Sequence, residues 1–255
     1  MRLNDTSALV TGGASGLGEA TARALQTRGV TCTLFDRDAE RVRAVADELG
    51  GATSSVSGDV GDEEDVRRAV AKAEASGTFR ILVNCAGIGW AQRILGREGD
   101  PHDFQAFKNV VNVNLVGSFN VLRLAAPAMA RAEPLETGER GVVVNTASIA
   151  AFDGQIGQIA YSASKGGIVG MTLPAARDLA AVGIRVNTIA PGLMDTPLLG
   201  LLPEDARRAL GEGVLFPKRL GDPREFAELV CVIAENPYLN GETIRLDGGL
   251  RMPPK

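Results

Sequence analysis

Two runs of the chain, Ile81-Leu-Val83 and Val142-Val-Val144, are apolar at three successive positions. In an extended strand neighbouring side chains point to opposite faces, so such a run offers no side to water and must be covered twice. Sheets covered on both faces are built from parallel strands joined by crossover helices, and the rest of the chain has that rhythm. β-Branched runs predict seven strands: Ala8–Thr11, Val30–Phe35, Thr53–Ser57, Ile81–Asn84, Val142–Thr146, Arg185–Ile189 and Thr243–Leu246. Helical patterning between them covers Gly18–Thr27, Ala39–Leu49, Asp65–Ala75, Phe104–Met129, Tyr161–Ala181 and Pro223–Ile233. No linker, repeat or low-complexity segment interrupts the alternation, so residues 1–255 read as one domain. Hydrophobic residues make up 45% of the chain and aromatics only 4%, so the core has to be built from Ala, Val, Leu and Ile.

Two stretches break the rhythm: Gly87–Asp103, and Gly192–Asp222 with three prolines. Long irregular connections in a compact domain serve as pocket walls or lids, and the second is expected to be a substrate lid. The net charge of −4 gives no pull toward nucleic acid or an acidic membrane surface. No apolar run is expected to reach the roughly 20 residues that cross a bilayer. Met1–Ser7 leads straight into a strand, so no targeting segment is expected. Cys32, Cys85 and Cys231 have no CxxC spacing, which suits free thiols in a reducing cytoplasm. His102 is the only histidine, which leaves no imidazole set for a metal site. It lies in an irregular loop, and no G-x-S-x-G elbow accompanies it, so a Ser-His-Asp hydrolase is not supported.

The first strand runs into Thr11-Gly-Gly-Ala-Ser-Gly-Leu-Gly18, and a helix follows. Glycines at 12, 16 and 18 let backbone N–H groups and a helix N-terminus approach a pyrophosphate. Gly13 and Gly18 have P-loop spacing, but Glu19 stands where the phosphate-binding lysine belongs. A tight glycine turn without a ligand is the other alternative. Asp36 closes the second strand near the ~20-residue offset of an acid that holds an adenosine ribose. Its carboxylate would accept the ribose hydroxyls and repel a 2′-phosphate, favouring NAD over NADP, with the neighbouring Arg37 opposing. Asp59-Val60 follows the third strand, where an adenine could lie against Val60. The expected architecture is therefore α/β, Rossmann-like and doubly wound, with a mostly parallel seven-stranded sheet and helices on both faces.

Tyr161 and Lys165 stand four residues apart in a helical segment and so share a face. A phenol titrates near 10 in water, and a nearby ammonium favours its ionised form. The pair can be an acid and its activator, or a solvated helix face. Ser148 follows the strand Val142–Thr146, at the carboxyl edge where open α/β sheets hold ligands. Asn114 is a poor helix former inside Phe104–Met129.

In this order, the glycine loop with Asn84-Cys85-Ala86-Gly87, Asn114, Ser148, Tyr161-Ser-Ala-Ser-Lys165 and Pro191-Gly192 resembles the short-chain dehydrogenase/reductase family from end to end. The resemblance implies that Tyr161 is the acid/base and that Lys165 holds the ribose and lowers the phenol's pKa. It also implies that Ser148 orients the substrate oxygen, Asn114 anchors a water relay, and Thr196 contacts the carboxamide. Ser15, Leu17, Asn84, Ala86, Gly87, Pro191 and Gly192 complete the implied cofactor contacts. Asn84-Cys85 departs from the family's commoner Asn-Asn pair. Residues 140–192, with Phe216-Pro217 and Leu239-Asn-Gly-Glu-Thr-Ile-Arg-Leu-Asp-Gly-Gly249, are similar to the family's 3-hydroxyacyl-CoA dehydrogenases. That implies NAD-dependent oxidation of a short or branched 3-hydroxyacyl-CoA in fatty acid metabolism. An alcohol, steroid or 3-oxoacyl reductase and a cofactor-bound scaffold are the alternatives. Gln155, Gln158 and Leu199 are candidate substrate contacts, in a pocket flanked by Ile149, Phe152, Leu193, Leu198, Leu202 and Phe216. The helices around Asn114 and Tyr161 resemble those through which members of the family form homotetramers.

Overall fold

The computed structural model describes residues 1–51, 53–200 and 203–254. The described residues build one seven-stranded sheet from β1 (Thr6–Thr11), β2 (Thr31–Asp36), β3 (Ser54–Ser57), β4 (Thr78–Asn84), β5 (Gly141–Thr146), β6 (Ile184–Pro191) and β7 (Thr243–Leu246). Their order is β3-β2-β1-β4-β5-β6-β7, and every pairing is parallel, so the sheet is wholly and not mostly parallel. The order reverses between β1 and β4, the switch point at which such sheets open a crevice beyond their carboxyl ends.

The triple-apolar runs explain the layers. Ala8, Val10, Ile81, Val83, Val142 and Val144 face one core, which is closed by α1 (Gly16–Gln26), α2 (Ala39–Leu49) and α9 (Pro223–Glu235) through Leu25, Val42, Phe226 and Val230. The residues between them, Leu9, Leu82 and Val143, face the opposite core. Val66 and Val70 of α3 (Glu63–Ala75) cover that side, with Val121 and Met129 of α5 (Gly117–Ala130) and Ala176 of α6 (Ile159–Ala180). Aspartates start several helices by accepting first-turn N–H groups: Asp38 for α2, Asp62 for α3, Asp103 for α4 (Phe104–Val111) and Asp222 for α9.

Two expectations need correction. The predicted helix Phe104–Met129 is α4, a π-helical turn over Asn112–Val116, and α5 in one continuous run. Residues 104–130 have the length to cross a bilayer and contain an 18-residue window of mean hydropathy 1.2. Periodicity did not signal this because polar residues punctuate the run. It packs over β4 and β5 and against α3 as a core helix, with 56% of its most apolar window buried. Within the predicted lid lie α7 (Pro197–Gly200) and α8 (Glu204–Glu212), short helices that the prolines at 197 and 203 start rather than prevent.

Phe226 is wholly buried beneath the sheet in a core with few aromatics. Phe226→Ala is expected to lower unfolding free energy by about 3–5 kcal/mol in urea titration, because small neighbours cannot collapse into the space.

Candidate active site

The carboxyl ends of the strands are sewn together before any ligand arrives. At the end of β1 the Thr11 hydroxyl accepts the N–H groups of Cys85 and Ala86, both at 3.1 Å, joining it to the segment that leaves β4. Gly12 follows with φ of 66°, and a Cβ there would come within 2.8 Å of the Ala86 nitrogen. A Cβ on Gly18 would overlap the Gly12 carbonyl oxygen. At these two glycines the loop is therefore packed backbone to backbone. Unlike the aspartate-capped helices, α1 begins at Ser15 without a side-chain cap, leaving its first N–H groups uncovered by a side chain of their own. Asp36, at the end of β2, accepts the Ala14 and Asp38 N–H groups, each at 3.1 Å, which aims its carboxylate at this loop. Arg41 donates to the Ala14 carbonyl at 3.1 Å, a support that no motif signalled.

A cleft of ≈ 710 Å³ runs along this edge. Of the predicted cofactor residues, Gly12, Ser15, Gly16, Leu17, Gly18, Asp36, Asp59, Val60, Ala86, Gly87, Pro191, Gly192 and Thr196 all line it. Ser148, Gln158, Tyr161, Lys165 and Leu199 line it as well, joining both halves of the prediction in one space.

Tyr161 lies in the first turn of α6, and the Lys165 ammonium, one turn further on, is 5.8 Å from the centre of its ring. Lys165 is buried, and its Nζ donates to the Thr146 carbonyl at the end of β5 at 2.7 Å. Burial holds this ammonium down to about 8, since the charged form gives up its hydration. Ser148 starts a 3₁₀ turn over Ile149–Ala151, accepting the Ala150 N–H at 3.1 Å, and lines the cleft together with Tyr161. Burial raises the phenol above its ordinary value, and the nearby Ser148 hydroxyl opposes part of that rise. The Lys165 ammonium itself is turned to the Thr146 carbonyl.

Asn114 lies behind the cleft wall, wholly buried in the π turn, where the Gly117 N–H bonds the Asn112 carbonyl. Its Oδ1 accepts the Ile88 N–H at 2.8 Å, and its Nδ2 donates to the Ile88 carbonyl and the Ser164 hydroxyl, both at 3.0 Å. Ser164 in turn donates to the Tyr161 carbonyl at 2.8 Å. One amide therefore fixes the loop after β4 and the start of α6 together. A π turn widens the helix at such functional positions.

Other predicted residues stand elsewhere. Asn84 is buried beneath the wall, donating to Asn145 Oδ1 at 2.9 Å and the Ser118 carbonyl at 3.3 Å, so it ties β4 to β5 and α5. Gln155 is not part of the lining, and its amide donates to the Pro253 carbonyl at 3.1 Å. Phe152 stacks beneath the Arg245 guanidinium at 5.2 Å, and Phe216 is 81% exposed, so neither forms the pocket wall. Ile149 and Leu193 do. Leu202 and the side chain of Leu198 lie outside the described residues.

The lining also includes Ile88, Trp90 and Met252, which were not foreseen. Trp90, the one tryptophan, stands in the irregular stretch after Gly87, which was a usable signal. Met252 had none, since a tail position shows no periodicity. Cys85 faces the cleft too, its thiol pushed up to about 11 by burial.

Comparisons with known proteins agree with this fold. Residues 6–207 match the short chain dehydrogenase family model. The chain is 54% identical over 249 residues to 3-hydroxyacyl-CoA dehydrogenase type-2 of Bos taurus, covering 97% of this chain and 95% of that protein. It is 51% identical over 254 residues to the protein of the same name in Drosophila melanogaster, covering 99% and 100%. The crystal structure of 3-hydroxyacyl-CoA dehydrogenase type-2 from Mycobacterium avium superposes with a TM-score of 0.96 at 48% identity, over 98% of each chain. The chain belongs to the short-chain dehydrogenase/reductase family of oxidoreductases.

Proposed function

We propose that the protein oxidises the 3-hydroxyl of short or branched 3-hydroxyacyl-CoA thioesters to the 3-ketone with NAD, as a step of fatty acid metabolism. The convergence of Tyr161, Ser148 and Lys165 with the glycine loop in one cleft carries this reading. Similarity to the type-2 enzymes over nearly the whole chain supplies the substrate class. A dinucleotide fits the residues present, since the glycine loop, the start of α1 without a side-chain cap, and Asp36 all line one cleft of ≈ 710 Å³.

In this reading the glycine loop and the α1 N-terminus hold the pyrophosphate, Asp36 the adenosine ribose, and Val60 the adenine. Lys165 holds the second ribose and Thr196 the carboxamide. The bound dinucleotide supplies the hydride acceptor and, when oxidised, a positive charge. Ser148 Oγ and Tyr161 Oη grip the substrate hydroxyl, and Tyr161 removes its proton as the carbinol carbon gives up hydride. Low dielectric strengthens every charge in the site, so a phenol raised by burial is also sensitive to added positive charge. Asn114 keeps the start of α6 in place through Ser164. The free thiols Cys32, Cys85 and Cys231 favour a reducing compartment such as the cytoplasm. Val116 of the π turn, Phe119 of α5 and Leu173 of α6 are exposed and suit a homotetramer.

Turnover on 3-hydroxybutyryl-CoA, 2-methyl-3-hydroxybutyryl-CoA, a 17β-hydroxysteroid and a sugar alcohol tests the substrate class. Preference for either non-thioester would overturn it. Tyr161→Phe is expected to cut turnover by roughly 10²–10⁴-fold while NADH fluorescence titration gives an unchanged affinity. Oxidation needs the ionised phenol, so the rate rises with pH. Ser148→Ala removes the hydroxyl that opposes the rise of the phenol's pKa, and its pH profile should move to the alkaline side of the wild type. Asp36→Asn should narrow the preference for NAD over NADP, measured as the ratio of kcat/KM values.

A further inference from the structure

The last residues of the chain run across the mouth of the substrate half of the cleft, held by contacts that the reaction itself does not call for. Arg245, on β7, is the centre. Its guanidinium reaches Asp153 at 2.6 Å, Asp247 at 2.7 Å and the Leu250 carbonyl at 3.1 Å, while stacking over Phe152. It therefore joins the loop after Ser148 to the chain's final segment. Arg251 adds a contact to Asp247 at 3.2 Å. Further along, the Ile156 N–H donates to the Pro254 carbonyl at 3.0 Å and the Gln155 amide to the Pro253 carbonyl at 3.1 Å. The other side of this loop is tied too, since the Gln92 N–H donates to the Gly157 carbonyl at 2.8 Å.

The strap has an inside and an outside. Leu250 is buried, Arg251 exposed, Met252 half-buried and Pro253 exposed, the alternation of an extended segment lying on a surface. Met252 is the strap residue that lines the cleft. The same cleft is lined by Gln158 and Tyr161 of the proton-handling side and by the apolar Trp90, Leu193 and Leu199. A side chain held at that point by backbone anchors on both sides closes off space that a longer acyl chain would need.

We infer that Met252, carried by the C-terminal strap 250–254, is a specificity-determining residue that limits the length of the acyl chain beyond the reacting carbon. The inference rests on the 3-hydroxyacyl-CoA reading of the site. It also assigns Gln155 a use: an anchor for the strap, in place of the substrate contact its position in the sequence suggested.

The test is kcat/KM over 3-hydroxybutyryl-, 3-hydroxyhexanoyl- and 3-hydroxyoctanoyl-CoA, with 2-butanol, 2-hexanol and 2-octanol alongside, for the wild type, Met252→Ala, Met252→Leu and Gln155→Ala. Met252→Ala is expected to raise the ratio of eight-carbon to four-carbon turnover by about tenfold or more, the scale on which an apolar pocket reads added methylenes. Met252→Leu keeps the volume and should stay near the wild-type ratio. Gln155→Ala, which loosens the strap without altering the lining, should move the ratio the same way by less. NADH affinity should be unchanged in all three. An unaltered ratio in Met252→Ala overturns the inference, as does a variant whose only change is weaker NADH binding. If the wild type oxidises the alcohols and none of the thioesters, the thioester reading falls and Met252 is judged by the alcohol ratio. Turnover of neither series overturns both.

Discussion

Burial of β1, β4, β5 and β6 on both faces is the constraint from which the site follows. Strands with no wet side have to be reached by helices from above and below, and a helix that returns to the same end makes every strand run the same way. All carboxyl ends then lie along one edge. What emerges from them is the glycine loop from β1, Asp36 from β2, Cys85 to Gly87 from β4, Ser148 after β5 and Gly192 after β6. The apolar interior thus positions polar groups that lie far apart in the chain. It does so rigidly, because a one-residue slip of any strand would exchange Val142 and Val144 for Val143 in opposite cores.

The sheet alone does not complete the site. Tyr161 and Lys165 come from α6, and their reach depends on how that helix is set against the edge. Lys165 provides one fastening by reaching across to the Thr146 carbonyl. Asn114 provides the other, through Ser164 on one side and Ile88 on the other. Burying an ammonium costs hydration, and this shows as its lowered pKa; the carbonyl recovers part of that cost. The same dry surroundings raise the phenol. Both groups are therefore held closer to their neutral forms than in water, a condition in which a charge arriving beside them has a large effect.

Most of the site could be read from residue order, and the exceptions have physical causes. Glycines, Asp36, Ser148 and the Tyr161–Lys165 spacing carry local meaning: backbone freedom, strand ends and helical turns. Asn84 and Asn114 were found by resemblance, yet both act from behind the wall, since an amide's partners are set by what packs over it. Gln155 looked like a polar handle because it neighbours Ser148 in sequence, but its partner is the Pro253 carbonyl at the far end of the chain. Phe104–Met129 reads as one helix because the π turn inserts itself without disturbing the apolar pattern on either side.

By itself the sequence determined the two-faced parallel sheet, the dinucleotide loop and the acid beside it, and the tyrosine one turn before a lysine. Each of these depends on neighbours within a strand, a loop or a helical turn, so short-range pattern is enough. Only the tertiary structure decided that Lys165 turns to Thr146, that burial raises the phenol above its ordinary value, and that Met252 of the tail lines the cleft. These outcomes depend on which atoms meet across layers and on how much water is left between them, and neither quantity is written in the order of residues.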